Sequence, residues 1–227
     1  MQRQLDKIRK AYDLTVEQYK KGINPSDAIP EEFRNSPGYK SLMANSGTLG
    51  SSAPDIKKYL APESGMRFLD AGCSANLVNY RLDLWPSKYY GVDISPRLIE
   101  AMKGFVVREK ISVGGLYVAE VSKLPFDDNL FDIAAVIGVL EYCTLTYIRG
   151  ALLELNRVLK PDARVVLDIP NKNHPYAKDM ARLEKYLARP NFLHSRSKFE
   201  RLLIPLFLTE RIDDSQVMIK YFLRTIK

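Results

Sequence analysis

Two apolar periodicities follow one another along the chain and predict its secondary structure. Residues 3–20 have the spacing of an amphipathic helix, with an apolar stripe of Leu5, Ile8, Tyr12, Val16 and Tyr19. Beyond residue 60, short apolar runs alternate with longer helical patterns, which is typical of a parallel sheet with helices packed on it. The predicted strands lie near 66–70, 89–93, 115–120, 131–138 and 164–169. The predicted helices lie near 75–84, 96–107, 145–159, 177–188 and 195–206. A strand pair, 209–217 and 218–226, closes the sheet with an antiparallel strand.

The segment between the first helix and the first strand is broken by glycine and proline, and it predicts short helical pieces and loops. Its breakers are Gly22, Pro25, Pro30, Pro37, Gly38, Gly47, Gly50 and Pro54. The stretch 47–54 is glycine-rich but has no lysine of a phosphate loop, so we interpret it as a linker or lid. We therefore predict a helical cap or lid over 1–54 and a ligand-binding domain over 55–227.

Charge and cysteine content narrow the classes of function. The net charge is +7, but residues 61–177 carry 13 basic and 14 acidic side chains, so the basic excess lies in the flanks. No nucleic-acid-binding module is evident, and an anionic small molecule or a plain solvated surface both fit this pattern. The most apolar stretch, 133–140, is too short to span a bilayer. Two cysteines outside any C-x-x-C pair and a charged start without a secretory signal favour the cytoplasm and argue against a metal site.

The most informative segment is 66–93, which predicts a strand, a tight turn, a helix and a second strand. The strands end on Asp70 and Asp93, and Gly72 lies 21 residues before the second acid. That spacing is close to the roughly 20 residues between a phosphate-type turn and a ribose-binding carboxylate. Only one glycine of a pyrophosphate turn is present, and Asp70 would repel a pyrophosphate. The turn therefore favours S-adenosylmethionine, which has a cationic amino acid end, over a dinucleotide; a βαβ unit without a ligand is the alternative.

Four segments, in order, resemble motifs of one family. They are FLDAGCSAN (68–76), YYGVDISPRLIEAMK (89–103), VAEVSKLPFDDNLFDIAAVIGVLEYC (118–143) and ELNRVLKPDARVVLDIPN (154–171). The chain resembles the class I S-adenosylmethionine-dependent methyltransferases, especially the small-molecule branch of the ubiquinone/menaquinone-biosynthesis type. The resemblance implies a Rossmann-like α/β fold: a seven-stranded, mostly parallel sheet with helices on both faces and an N-terminal helical lid.

The resemblance, together with the rule that open sheets bind ligands at the carboxyl ends of their strands, selects cofactor-binding candidates. They are Asp70, Gly72, Ser74, Asn76, Asp93, Ile94, Glu120, Val121 and Gly138. Asp70 is expected near the methionine amino group, Asp93 on the ribose hydroxyls, Glu120 near the adenine amino group and Gly138 beside the sulfonium. Ser74 and Asn76 replace family glycines; asparagine tolerates a left-handed backbone, and the serine hydroxyl could donate to the cofactor carboxylate.

The acceptor side offers fewer signals. Glu141 and Tyr142 follow the fourth strand and His174 follows the fifth, so these three are the candidate catalytic residues if the acceptor must lose a proton. Each also has a purely structural interpretation, and for His174 that is an ordinary loop residue. Tyr12 and Tyr19 resemble paired tyrosines in the leading segment of related enzymes, where they would cover the cofactor; packing of the stripe against the core is the alternative.

The sequence thus predicts a cytoplasmic methyltransferase that uses S-adenosylmethionine on a small-molecule acceptor, without a metal, a membrane or a nucleic acid. Two alternatives remain open. One is an RNA or protein methyltransferase that uses the basic flanks. The other is a non-catalytic nucleotide-binding or regulatory module with an altered glycine turn. The acceptor, the atom methylated and the oligomeric state do not follow from the sequence.

Overall fold

The computed structural model of the chain describes residues 2–44 and 54–227. Its helices are α1 (Gln2–Lys20), α2 (Glu31–Arg34), α3 (Pro37–Ala44), α4 (Pro54–Leu60), α5 (Asn76–Tyr80), α6 (Pro96–Arg108), α7 (Leu145–Val158), α8 (Ala177–Tyr186) and α9 (Arg196–Leu203). Its strands are β1 (Arg67–Ala71), β2 (Lys88–Asp93), β3 (Gly115–Val118), β4 (Phe131–Val136), β5 (Leu159–Pro170), β6 (Phe207–Asp213) and β7 (Met218–Thr225). Short 3₁₀ turns occupy Pro25–Ala28, Leu82–Leu84 and Leu140–Tyr142. The linker or lid predicted at 47–54 lies outside the described residues, apart from residue 54.

The seven strands form one sheet in the order β3-β2-β1-β4-β5-β7-β6. Only β7 runs against its neighbours, β5 and β6, and the other pairings are parallel. The chain moves outward from β1 to β2 and β3 and then crosses to β4 on the other side of β1. This reversal creates a crevice at the carboxyl ends of the central strands, where open α/β sheets bind ligands. The predicted fold class is confirmed.

Both faces of the sheet are buried because successive side chains of each strand point to opposite faces. On β4, Ala134 and Val136 join a cluster with α1, α7 and α9, whereas Ile133 and Ala135 join a cluster with α4, α5 and α6. These positions are essentially inaccessible to solvent. The near-continuous apolar runs of the sequence are therefore two interleaved faces rather than one.

The N-terminal helices contact the sheet domain at two places. Leu5 and Ile8 of α1 join the same apolar cluster as the central strands. A third cluster brings Ile29, Phe33 and Leu42 against Met180 and Leu183 of α8. Of the apolar stripe predicted over 3–20, Leu5, Ile8 and Val16 are thus buried and Tyr12 is partly buried, whereas Tyr19 is exposed.

Three boundaries differ from the sequence prediction by four or more residues, and side-chain chemistry accounts for two of them. The helix predicted over 75–84 stops at Tyr80, because Arg81 adopts a left-handed backbone (φ +49°) and its guanidinium pairs with Asp83 at 2.8 Å. The strand predicted over 209–217 ends at Asp213, whose carboxylate accepts from the amide and hydroxyl of Ser215 and starts a turn. The fifth strand is longer than predicted and begins at residue 159.

Candidate cofactor and acceptor site

The turn between β1 and α5 is tied to the end of β2. The amides of Gly72 and Cys73 both donate to the carbonyl of Val92, over 2.8 and 2.9 Å. Gly72 has a left-handed backbone (φ +83°), and a Cβ added there would lie 2.2 Å from Val139 Cγ2. Only glycine fits this position, because both the backbone conformation and the space exclude a side chain.

Ser74 also has a left-handed backbone in this turn, with φ +42°. The sequence pattern favours Asn76 for a left-handed conformation, but Asn76 is the first residue of α5 and is helical. The strained geometry at Ser74 aims its amide at Asp93 Oδ2, 2.9 Å away. The turn thus orients the acid at the tip of the next strand.

Asp93 is fixed through both carboxylate oxygens by backbone donors. The amide of Ser95 donates to Oδ1 over 2.8 Å, and that of Ser74 donates to Oδ2. Burial raises the pKa of this carboxyl, and the two amides oppose that effect. Each oxygen retains capacity for a second hydrogen bond, so the side chain can accept from two adjacent hydroxyls.

Asp70 is a second buried acid, only 1% exposed, at the carboxyl end of β1. Its carboxylate accepts from the Tyr89 hydroxyl at 2.8 Å and from Asn76 Nδ2 at 3.2 Å. Burial nevertheless raises its pKa to about 7. A cation placed nearby would favour the ionised form, so this acid can respond to a positively charged ligand.

Gly72, Ser74, Asn76 and Asp93 line a cavity of about 390 Å³ at the crevice between β1, β2 and β4. The volume falls within the roughly 300–1,000 Å³ range of small-molecule sites. Its walls combine apolar side chains with a few charged and hydroxyl groups. Those lining residues are Leu5, Ile8, Tyr12, Gly72, Ser74, Asn76, Asn79, Tyr80, Asp93, Ile94, Ala119, Glu120, Val121, Ile137, Gly138, Val139, Glu141, Tyr142, Cys143, Tyr147 and Arg189.

At the end of β4 the cavity contains a buried carboxyl group, that of Glu141. The side chain is 7% exposed, and its Oε2 has no hydrogen-bond partner among the described residues. Burial raises its pKa well above the ordinary value, and the nearby Asp168 and Glu184 add to the effect. Gly138, which is left-handed (φ +69°), leaves the space beside it open: an added Cβ would lie 3.7 Å from Glu141 Oε1.

Asp168 is a further buried acid, and it binds the backbone of the loop that follows β4. It is 3% exposed and accepts from the amide of Gly138 over 2.9 Å. Burial raises its pKa to about 7, and that amide and Lys220 oppose the rise. The carboxyl therefore fixes the Gly138 loop at the fourth strand.

Beside these acids lie two tyrosines and an arginine, which are Tyr12, Tyr142 and Arg189. The Tyr12 hydroxyl donates to that of Tyr142 over 3.2 Å, and the two rings meet edge to face. The guanidinium of Arg189 lies 4.5 Å from the centre of the Tyr12 ring. Burial raises the pKa of Tyr12 to about 12, so its hydroxyl remains protonated at neutral pH.

The structure brings most of the predicted site residues to this one cavity. They are Tyr12, Gly72, Ser74, Asn76, Asp93, Ile94, Glu120, Val121, Gly138, Glu141 and Tyr142. Asp70 lies behind the wall, where it holds Asn76. Tyr19 is 62% exposed and does not line the cavity, so the tyrosine that accompanies Tyr12 there is Tyr142. His174 also lies outside, and its Nδ1 accepts from the Tyr176 amide at 3.2 Å as part of a loop.

Arg189 is the main lining residue that sequence reasoning missed. The sequence placed it only in a basic flank, with no motif around it. Tyr80 and Tyr147 were missed because each lies on a helix whose periodicity fits core packing equally well. The apolar stripe of α1 was the one available signal for Leu5 and Ile8, although it did not show which surface they cover.

The described part of the chain contains neither a candidate metal-binding group nor a helix that could span a membrane. Within 2–44 and 54–227, no group of three or more histidine, cysteine, aspartate or glutamate side chains could hold a metal ion. No helix in those same ranges is long and apolar enough to cross a bilayer.

Comparison with known proteins agrees with this geometry. Residues 69–167 match the family described as "Methyltransferase domain". A 2-phytyl-1,4-naphtoquinone methyltransferase of Nostoc punctiforme is 37% identical over 123 residues, which are 52% of this chain and 53% of that protein. The sterol 4-C-methyltransferase strm-1 of Caenorhabditis elegans is 27% identical over 158 residues, which are 64% of this chain and 45% of that protein. The chain thus spans about half the length of the known relatives it matches.

Solved structures show the same fold at low identity. The PH0226 protein of Pyrococcus horikoshii OT3 has a TM-score of 0.66 at 18% identity, covering 88% of this chain and 98% of that one. The geranyl diphosphate C-methyltransferase of Streptomyces coelicolor A3(2), crystallised with S-adenosyl-L-homocysteine, has a TM-score of 0.65 at 15% identity, covering 87% of this chain and 89% of that one. The match over residues 69–167, the fold and the acid at the tip of β2 together make this chain similar to S-adenosylmethionine-dependent methyltransferases.

Proposed function

We propose that the protein transfers a methyl group from S-adenosylmethionine to a small-molecule acceptor bound in the same cavity. The observation that carries the proposal is the position of Asp93. Its two oxygens are fixed by backbone amides at one end of a cavity whose other end contains the buried carboxyl of Glu141. A cofactor site and a proton acceptor therefore share one enclosed space.

The residues present fit the cofactor. Asp93 can accept from two ribose hydroxyls, and Ile94 and Val121 offer apolar contacts for the adenine, with Glu120 beside them. Asp70, with its pKa near 7, would stabilise the ammonium of the methionine end, acting together with Asn76. The missing side chain at Gly138 leaves room beside Glu141. When bound, S-adenosylmethionine supplies a methyl group made electrophilic by the attached sulfonium.

The chain's own contribution to such a transfer is mainly orientation. Holding the reacting groups in line can supply roughly 7–11 kcal/mol of the barrier reduction. Leu5, Ile8 and Tyr12 of α1 form one wall of the cavity, so α1 covers the site and excludes water. We therefore propose that residues 1–54 act as a lid on the domain formed by 55–227.

The surroundings of the cavity support a small acceptor in a reducing compartment such as the cytoplasm. Leu5, Ile8 and Tyr12 of α1 form one wall of this cavity, whose volume of about 390 Å³ suits a small molecule. Cys73 and Cys143 are both buried and free. The relatives named above act on sterol and naphthoquinone molecules according to their names, and this class of small apolar acceptor matches the aromatic wall formed by Tyr12, Tyr142 and Tyr147.

Calorimetric titration with S-adenosylhomocysteine and with NAD tests the proposal. We expect binding of the first and none of the second. Asp93→Ala should weaken the binding of S-adenosylhomocysteine by roughly 1.5–3 kcal/mol, the range for hydrogen bonds to a charged group. Asp213→Ala is the matched control, since Asp213 also accepts from the amide two residues later but lies outside the cavity. Binding of NAD, or equal affinities in the two variants, would reject the cofactor assignment.

A further inference from the structure

Arg189 is brought to the cavity by the way α8 ends. Ala188 is left-handed (φ +56°), the amide of Ala188 donates to Lys185 O over 3.1 Å, and that of Arg189 donates to Glu184 O over 2.8 Å. These two bonds are those of a Schellman motif, which reverses the chain at a helix end. Arg189 is consequently held one turn above Glu184, with its guanidinium over the Tyr12 ring.

The polar atoms in this corner lack partners to an unusual degree. Seven buried side-chain polar atoms of the described residues have no hydrogen-bond partner, and five of them belong to Glu141, Glu184, Arg189 and Asn191. Glu184 interacts with both Glu141 and Arg189, and the amide of Phe192, which follows Asn191 in the chain, donates to Glu141 O over 2.7 Å. Unpartnered buried groups cost about 1–3 kcal/mol each, so such a cluster next to a cavity indicates that a ligand completes it.

Arg189 interacts with Glu184 and with the Tyr12 and Tyr142 side chains, but its ion pair with Glu184 is long. Its Nη1 lies 3.8 Å from Glu184 Oε2, beyond hydrogen-bond distance, and its Nε donates to nothing among the described residues. The side chain is 16% exposed, so water screens it little. A guanidinium in this state favours a ligand that accepts hydrogen bonds and carries negative charge.

Glu141, by contrast, requires a ligand that donates a hydrogen bond or a proton. Its unpartnered Oε2 can take a proton or accept a hydrogen bond, so the ligand must carry a hydrogen donor at that point. A protonated amine would satisfy Glu141 but would be repelled by Arg189. A hydrocarbon skeleton alone would leave both groups unpartnered. An ionisable hydroxyl satisfies both, first as a donor and then as an anion.

We propose, building on the function proposed above, that the acceptor is a planar, largely apolar molecule with a phenolic or enolic hydroxyl, that Glu141 receives the proton of this hydroxyl, and that Arg189 binds the resulting oxyanion. The O–H bond of the acceptor breaks, and its proton passes to Glu141 Oε2. The electron pair of the phenolate or enolate forms the new bond to the methyl carbon, while the carbon–sulfur pair returns to sulfur. Glu141 later releases the proton to water.

The electrostatics of the corner are compatible with that step. The proton moves between two groups inside one cavity, so the total charge of the cavity does not change. Burial and the acids Asp168 and Glu184 raise the pKa of Glu141, which brings it closer to that of a phenol. Arg189 lowers the energy of the oxyanion, and the hydroxyls of Tyr12 and Tyr142 remain protonated because burial raises their pKa values.

The test uses the full chain saturated with S-adenosylhomocysteine and two matched probes. 4-Nitrophenol has an ionisable hydroxyl with a visible phenolate band, whereas 4-nitroanisole has the same skeleton with that oxygen methylated. We expect 4-nitrophenol to bind at least tenfold more tightly, and to show the phenolate band when bound at a pH at which the free probe is mostly protonated. Equal binding of the two probes, or tighter binding of benzylamine, would overturn the proposal.

Arg189→Met should reduce 4-nitrophenol affinity at least tenfold and remove the bound phenolate band, while S-adenosylhomocysteine affinity stays within twofold. Arg182→Met is the matched control: Arg182 also lies over an aromatic ring, that of Phe33, but it is on the outer side of α8. Unchanged probe binding in Arg189→Met would reject the oxyanion role. If the wild type fails to bind S-adenosylhomocysteine, the proposed cofactor use fails instead, and the calorimetric titration shows which of the two has failed. The comparison of the two probes needs only the wild-type protein, so it tests the proposal even if a variant does not fold.

Discussion

The hydroxyl of Ser95 donates a 2.6 Å hydrogen bond to Asp13 Oδ1, and this bond joins the covering helix α1 to the cofactor-binding end of β2. Ser95 is the N-cap of α6, where it accepts from the Leu98 amide, and it lies two residues after Asp93. One turn further along α1, Glu17 pairs with Arg97 at 2.6 Å. The position of the lid is therefore set beside the acid that we assign to the ribose.

Asp13→Ala should remove the hydrogen bond between α1 and Ser95 and so loosen the contact of α1 with the sheet domain. Losing a hydrogen bond to a charged group costs roughly 1.5–3 kcal/mol, so we expect S-adenosylhomocysteine to dissociate about tenfold faster or more, with a folded core. Stopped-flow displacement measures the rate, and hydrogen exchange over residues 2–20 reports opening of the helix. Asp6→Ala is the control, since Asp6 pairs with Arg9 on the exposed side of the same helix. Equal dissociation rates in both variants would show that α1 is not a lid.

Asp70 should make stability depend on pH in a defined direction. Its pKa is about 7 in the folded chain against an ordinary 3.8, so between these values the folded state retains a proton that the unfolded state loses. The contribution is fully present below about pH 4 and is lost as pH rises through 7, on the order of 4 kcal/mol in all. Urea unfolding at pH 5 and pH 8 should show a smaller loss in Asp70→Asn than in the wild type. Identical losses would contradict the raised pKa.

The same acid should report cofactor binding. A ligand ammonium near Asp70 would lower its raised pKa, so binding of S-adenosylhomocysteine at pH 6.5 should release a proton from this group. Calorimetry in buffers of different ionisation enthalpy measures that release, and it should fall in Asp70→Asn. Glu154 is a useful comparison, because its carboxyl pairs with Arg157 away from the cavity and its pKa is lowered rather than raised. Proton release that persists undiminished in Asp70→Asn would assign it to another group.

Gly138→Ala should weaken cofactor binding beyond its effect on folding. The new methyl group would lie in the cavity, 3.7 Å from Glu141 Oε1, and it would also strain a left-handed backbone by about 1–2 kcal/mol. Gly65→Ala carries the same kind of strain (φ +86°) with open space around it, so it isolates the steric effect. We expect both variants to lose similar stability in urea and only Gly138→Ala to lose S-adenosylhomocysteine affinity, by tenfold or more. Equal affinities would place the ligand elsewhere.

Ala188→Gly should stabilise the chain. Ala188 adopts φ +56° at the end of α8, a conformation that costs an L-residue roughly 1–2 kcal/mol and glycine almost nothing, so we expect a net gain of about 1 kcal/mol. Ala177→Gly, the same substitution at the helical start of α8, should lose stability by about 1 kcal/mol. Urea unfolding measures both. A loss in Ala188→Gly would mean that the turn holding Arg189 is not limited by backbone strain.

The sequence by itself determined the sheet and the cofactor end of the site. Strand, turn, helix and acid follow one another between residues 66 and 93, so local periodicity and one turn were enough to predict Gly72, Asp93 and their relation. Parallel strands all end at the same edge, and this placed Gly138 and Glu141 beside them without knowledge of the fold. The helix break at Arg81 was not predictable in this way, because a left-handed arginine has no sequence signature.

Only the tertiary structure decided the acceptor end. Tyr12, Glu141 and Arg189 lie far apart in sequence, and no spacing rule links a residue of the leading helix to one beyond α8. Their meeting depends on how α1 packs over the crevice and on how the turn at Ala188 reverses the chain. His174 follows a strand at the correct edge, yet its loop hydrogen bonds keep it outside the cavity. Burial, which raises the pKa of Glu141, is a property of the folded chain, because it arises from long-range packing that local pattern does not encode.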